Sequence, residues 1–65
     1  MKTGDKVEII DGPADWIGFT GTVLRVDMNR TMGEVTIEPD ERRPDGMGYR
    51  WFNWFFKNLK VTEDV

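Results

Sequence analysis

Apolar residues in this chain recur at every second position in short runs, and Gly, Pro, Asp and Asn separate the runs. That spacing is the signature of strands with one buried face. The first run is residues 6–10, with Val7 and Ile9 on one side and Lys6, Glu8 and Ile10 on the other. Residues 11–21 follow, and the Gly12-Pro13 pair and Gly18 predict a long excursion rather than a tight hairpin. The second run, 22–27, places Val23 and Val26 out of phase with strict alternation, so a bulge near Leu24 or Arg25 is needed to bring both inside. After the polar turn 28–33, residues 34–38 form a one-sided strand with Val35 and Ile37 inward, and Pro39 ends it. The segment 39–48 has no apolar period and carries a Pro-Asp-Gly turn, which predicts an exposed, mobile loop. Residues 59–61 read as a short closing strand, and nothing has the spacing and length of a stable helix. Five short strands predict an all-β, strongly bent small barrel. The expected boundaries are a barrel over residues 1–61 and an acidic C-terminal tail over 62–65 that frays.

Between the loop and the last strand lies RWFNWFFKNL, with aromatic residues at five of the six positions 51–56. A flat strand there would be aromatic on both faces, with Phe52, Trp54 and Phe56 on one and Tyr49, Trp51 and Phe55 on the other. The single interior of a small barrel already receives Val7, Ile9, Val23, Val26, Val35, Ile37, Leu59 and Val61. A break at Asn53 would let Trp51 or Phe52 point inward while one or two of Trp54, Phe55 and Phe56 close the open end. At least two rings are left over. They can form a satellite cluster with Trp16, Ile17 and Phe19 of the long loop, stabilising a domain that has no other staple. They can instead form a partly exposed patch of Trp16, Tyr49, Trp51 and Trp54, since aromatic residues beside Arg are enriched at interface hot spots.

Composition narrows the chemistry. The 65 residues leave room for one domain of modest stability, and there is no Cys, His or Ser. Disulfides, a Ser or Cys nucleophile and a His base or metal ligand are therefore excluded, and a non-catalytic protein without cofactors is expected. Asp5, Glu8, Asp11 and Asp15 alternate with apolar positions and lack the spacing of a calcium loop. The net charge of −3 is not the broad basic footprint of a protein held by phosphate contacts. No apolar run approaches a membrane span, the first residues lack a signal-peptide core, and a cytoplasmic protein is expected.

The stretch GDKVEIIDG, then a loop, then TGTVLRVD resembles the KOW motif of SH3-like barrels, with Gly21 on that family's essentially fixed glycine. Physically, a Cβ there would crowd the neighbouring backbone of a sharply bent strand. The resemblance covers about the first 27 residues. It implies a five-stranded SH3-like barrel and a single 3-10 turn before the last strand. NWFFKNLKV looks like that turn, with Asn53 capping it and Leu59 returning to the core. GDKVEI, Trp16 and GTVLRVD are also similar to the small SH3-like docking protein of photosystem I. KOW domains bind RNA, ribosomes, RNA polymerase or other proteins, so the resemblance implies a binding role without choosing among these.

Three uses of the chain remain open on these grounds. The first is a protein-interaction module or accessory subunit, its partner held by Trp16, Phe19, Tyr49, Trp51 and Trp54 together with Arg42, Arg43 and Arg50. The second is an RNA or DNA binder that stacks bases on the same rings and meets phosphates with Arg25, Arg42, Arg43, Arg50 and Lys57. The third is a small barrel subunit of a larger enzyme or electron-transfer complex; association of like chains is compatible with the first and third. Asp40, Glu41 and Asp45 flank the Arg42-Arg43 pair, and the plain expectation is that both arginines sit in a solvated loop satisfied by those carboxylates.

Overall fold

The computed structural model describes residues 1–28 and 33–63. Five strands form in chain order: β1 Lys6–Ile9, β2 Thr20–Asp27, β3 Glu34–Pro39, β4 Phe52–Phe55 and β5 Leu59–Glu63, with a 3-10 turn at Phe56–Asn58 between the last two. All pairings are antiparallel, and the order across the sheet is β4-β3-β2-β1-β5. The strands β4 and β5 therefore lie at opposite edges, yet only the three-residue turn separates them in sequence. The sheet has to curl back on itself, and the result is an open barrel with one interior.

That interior is filled from every strand: Val7 and Ile9 from β1, Val23 from β2, Val35 and Ile37 from β3, Phe52 from β4 and Leu59 from β5. Each such side chain contributes about 1.5–3 kcal/mol when taken fully from water. Val26 and Val61, also expected inside, pack half-buried against this core. The bulge read from the phase of β2 is present. Val23 opposes Ile37 and Arg25 opposes Thr36, so Leu24 is the extra residue, and Val26 returns to face Val35.

Gly21 stands between β1 and β3, opposite Val7 on one side and Pro39 on the other. A Cβ at this position would lie 2.4 Å from Ile37 Cγ2 and 2.7 Å from the Glu38 carbonyl oxygen. Its lack of a side chain is what lets the strands approach here. Just before β1, Asp5 is only 2% exposed. Its main chain extends the sheet by accepting the Val23 N–H at 2.8 Å, and its carboxylate accepts the Lys2 N–H at 2.9 Å.

Lys6 of β1 donates to Asp40 at 2.8 Å on the surface, and that hydrogen bond raises the lysine pKa above its ordinary 10.5. A raised lysine pKa favours the folded state while the lysine is charged and its carboxylate partner is ionised. The contribution is present at neutral pH and disappears as pH rises through the folded lysine value, so it is lost in strong alkali.

Most strand ends shift from the sequence reading: β1 stops at Ile9, β2 begins at Thr20 and β3 includes Pro39. The last strand runs to Glu63 rather than stopping at Val61, because it continues to pair with β1, where Glu63 opposes Lys6. The residue preceding the 3-10 turn is Phe55, not Asn53, and no side chain caps it. Asn53 lies within β4, where its side chain accepts from Thr36 Oγ1 at 2.7 Å across the strand pair. Residues 29–32 of the expected polar turn, and Asp64 and Val65 of the expected tail, lie outside the described residues.

Candidate functional site

β4 is the element on which the aromatic question turns. Successive side chains of a strand point to opposite faces, so Phe52 and Trp54 share one side and Trp51, Asn53 and Phe55 the other. The structure uses the first side for the interior. Phe52 is 5% exposed, whereas its neighbour Trp51 is 60% exposed.

The inward rings meet the long loop between β1 and β2. That loop is held by main-chain bonds: Gly18 donates to Ile9, Trp16 to Pro13 and Phe19 to Trp16, all at 2.9–3.0 Å. Trp16 becomes the hub of a cluster. Its ring centroid lies 5.0 Å from Phe52, 5.0 Å from Trp54 and 5.6 Å from Phe19, the last nearly edge-to-face. These separations are in the favourable range for aromatic pairs, worth about 0.5–1.5 kcal/mol each beyond burial. Trp54 closes the open end of the barrel by laying its indole over Gly12. A Cβ there would be 2.7 Å from the ring, and the φ of +141° is one that side-chain-bearing residues rarely adopt. The indole Nε1 donates to the Asp11 carbonyl at 3.3 Å. Ile17 does not join the cluster; its side chain is exposed.

Arg43 belongs to the same assembly, contrary to the expectation of a solvated arginine. Its guanidinium carbon lies 5.7 Å from the Trp16 ring centre and 5.5 Å from that of Phe52, and the side chain is only 15% exposed. Nη1 donates to the Trp51 carbonyl at 3.1 Å, and Nη2 pairs with Asp45. The loop is tied around this residue: the Arg43 N–H donates to Gly48, the Gly46 N–H to Arg43, and the Met47 N–H to the Asp45 carboxylate. The expected free loop is thus anchored by a cation seated on aromatic faces. Arg43→Ala is expected to cost about 1–2 kcal/mol, and Arg42→Ala, at an exposed position, less than about 0.5 kcal/mol. Urea unfolding midpoints of the two variants measure the difference.

The eight residues expected to form one site therefore divide. Trp16, Phe19, Trp54 and Arg43 are parts of a structural cluster under the barrel mouth. Tyr49, Arg50, Trp51 and Arg42 remain outside. Around Trp51 the surface is shallowly concave on two sides. One cleft, of about 400 Å³, is lined by Leu24, Arg25, Thr36 and Asn53; the other, of about 280 Å³, by Arg43, Met47 and Arg50. Further along β4, Phe55 borders a third cleft of about 320 Å³ with Pro13 and Asn58.

Among known protein families, curated proteins and solved structures, none matches this chain. Leu24, Met47 and Phe55 border the clefts along Trp51 and β4, and the sequence reading left all three out of the binding patch. Alternation already sets Phe55 on the face of Tyr49 and Trp51; Leu24 faces outward because it is the bulged residue. Among the described residues no three acidic side chains are grouped to hold a metal ion, and no helix is long and apolar enough to cross a membrane.

The charges around Trp51 are of both signs. Arg25 and Arg50 approach it, but Asp27 and Glu34 lie on the same side of the sheet. This surface supplies aromatic and aliphatic contact area with a polar rim of both charges.

Proposed function

We propose that this chain is a non-catalytic binding module of the KOW, SH3-like type, free-standing or part of a larger assembly, that docks a protein through the outward side of β4. Trp51 is the anchor, Tyr49 and Phe55 flank it, Leu24 and Met47 widen the apolar area, and Arg42 and Arg50 form part of the rim. The carrying observation is the exposure of the Trp51 indole. A chain this small is short of core, and burying every ring it owns would be its simplest route to stability. It buries Phe52 and leaves Trp51 out, as expected for a ring kept for a partner. The strand order and the side-chain-free position at Gly21 support the KOW-type assignment. A cytoplasmic location belongs to the same proposal.

A photo-crosslinking residue placed at Tyr49, in cells, tests this reading against the same residue at Thr62 on the opposite edge strand. Discrete protein adducts at position 49 and few at 62 are expected. No adducts at 49, or the same adducts at both, would sink the proposal. Adducts to nucleic acid, lost steeply with salt in vitro, would replace it with the stacking reading.

A further inference from the structure

We propose that the partner of β4 is the β4 strand of a second copy of this chain, added antiparallel along its free edge and centred on Asn53. The inference rests on the docking reading above and names the occupant of that site.

β4 is an edge strand, paired only with β3. The Phe56 N–H donates to the Gly33 carbonyl at 3.0 Å, which sets the phase of the ladder. In an antiparallel pair the main-chain groups of alternate residues face the partner. Those of Trp54 and Phe52 then face β3, and those of Phe55, Asn53 and Trp51 face away. The 2.7 Å bond between the Asn53 and Thr36 side chains agrees with this phase. The Trp51 carbonyl is already taken by Arg43, so the outward main-chain groups left for a partner strand are those of Asn53 and Phe55. Among the described residues no main-chain group hydrogen-bonds the Asn53 or Phe55 N–H and C=O on the outward side. A cleft lined by Asn53, Trp54 and Phe55 runs beside this edge.

Edge strands are ordinarily guarded against pairing by charges or Pro. The other edge, β5, carries Lys60 and Glu63, but residues 51–56 contain neither a charge nor a proline. The sequence from Trp51 through β4 also selects its own copy. Trp51-Phe52-Asn53-Trp54-Phe55 is symmetric in kind about Asn53. Antiparallel pairing on that centre sets Trp51 opposite Phe55 of the copy on the outer side and Phe52 opposite Trp54 near the barrel mouth. Asn53 meets Asn53, and the two exchange their outward N–H and C=O groups. Every pair is then aromatic on aromatic or amide on amide, and no like charges are brought together.

Sedimentation equilibrium of the intact chain from roughly 1 µM to 1 mM covers the affinity range expected for so short a strand pairing. The mass should rise from 7.6 kDa toward twice that value. Asn53→Pro removes an outward N–H without taking a ladder bond from β3, and Trp51→Glu sets a carboxylate against the ring of the copy. Each should weaken the dimer by about tenfold or more while amide NMR dispersion stays native. If Asn53→Pro does not fold, Trp51→Glu decides. A single-chain mass throughout, or a dimer that Trp51→Glu leaves within about twofold, overturns the inference. A monomer whose position 49 still crosslinks a different protein overturns the second copy and leaves the docking reading standing. A monomer with no adducts at position 49 overturns both.

Discussion

Gly21→Ala is expected to remove about 3 kcal/mol or more of stability, the largest effect of any single methyl group in this chain. The added Cβ would meet Ile37 Cγ2 at 2.4 Å and the Glu38 carbonyl oxygen at 2.7 Å. The Ile37 methyl could move at the cost of a fully buried side chain leaving its position. The carbonyl is backbone, so relief requires β2 and β3 to separate where Gly21 opposes Pro39 and Thr22 opposes Glu38. Overpacking a core ordinarily costs about 1–3 kcal/mol, and a clash with backbone lies at the top of that range or beyond. A chain of this length has a total of about 3–10 kcal/mol to lose. A large fraction of the variant should therefore be unfolded at 25 °C, visible as lost amide dispersion and a urea transition shifted toward zero denaturant. A native spectrum with an unchanged midpoint would show that the strands are not so closely apposed.

The second large effect separates two neighbouring aromatic residues. Phe52→Ala should cost about 3–5 kcal/mol, because Phe52 is in the core and touches Trp16, Phe19 and Trp54 at centroid separations of 5.0–6.0 Å. Trp51→Ala should change stability by less than about 1 kcal/mol, since the indole lies outside and only its carbonyl, which the substitution keeps, anchors Arg43. Equilibrium unfolding of both variants checks the pair. Equal losses would mean that β4 is rotated and that both rings are structural.

The sequence carries the strand plan well because one-sided burial forces a period of two. Val35 and Ile37 can only face one way, and the broken phase of Val23 and Val26 requires the bulge found at Leu24. Gly21 is legible for a related reason: a glycine in the middle of a strand pattern marks close backbone approach. The aromatic stretch is not legible in the same way. Both of its faces are apolar, so alternation leaves the register free, and the choice is made by the long loop, which delivers Trp16 and Phe19 to the side carrying Phe52 and Trp54. Arg43 misleads because a cation between carboxylates has an obvious local partner. Its Asp45 pairing does form, but the same geometry seats the guanidinium on two rings, Trp16 from the long loop and Phe52 from β4. Asn53 is not a cap because β4 continues for two residues beyond it, and Thr36 on β3 offers it a hydroxyl. What one strand can settle alone is readable; what depends on a loop folding over it is not.

The central claim is the division of the aromatic residues into a cluster packed on the core and an outward docking face, and tryptophan fluorescence quenching tests it most directly. Acrylamide and iodide should reach one of the three indoles freely in dilute, monomeric protein, and Trp51→Phe should abolish that accessible population. Trp16 and Trp54, half-buried in the cluster, should be quenched much less. Three indoles equally shielded in the monomer, or an accessible population that survives Trp51→Phe, would contradict the account.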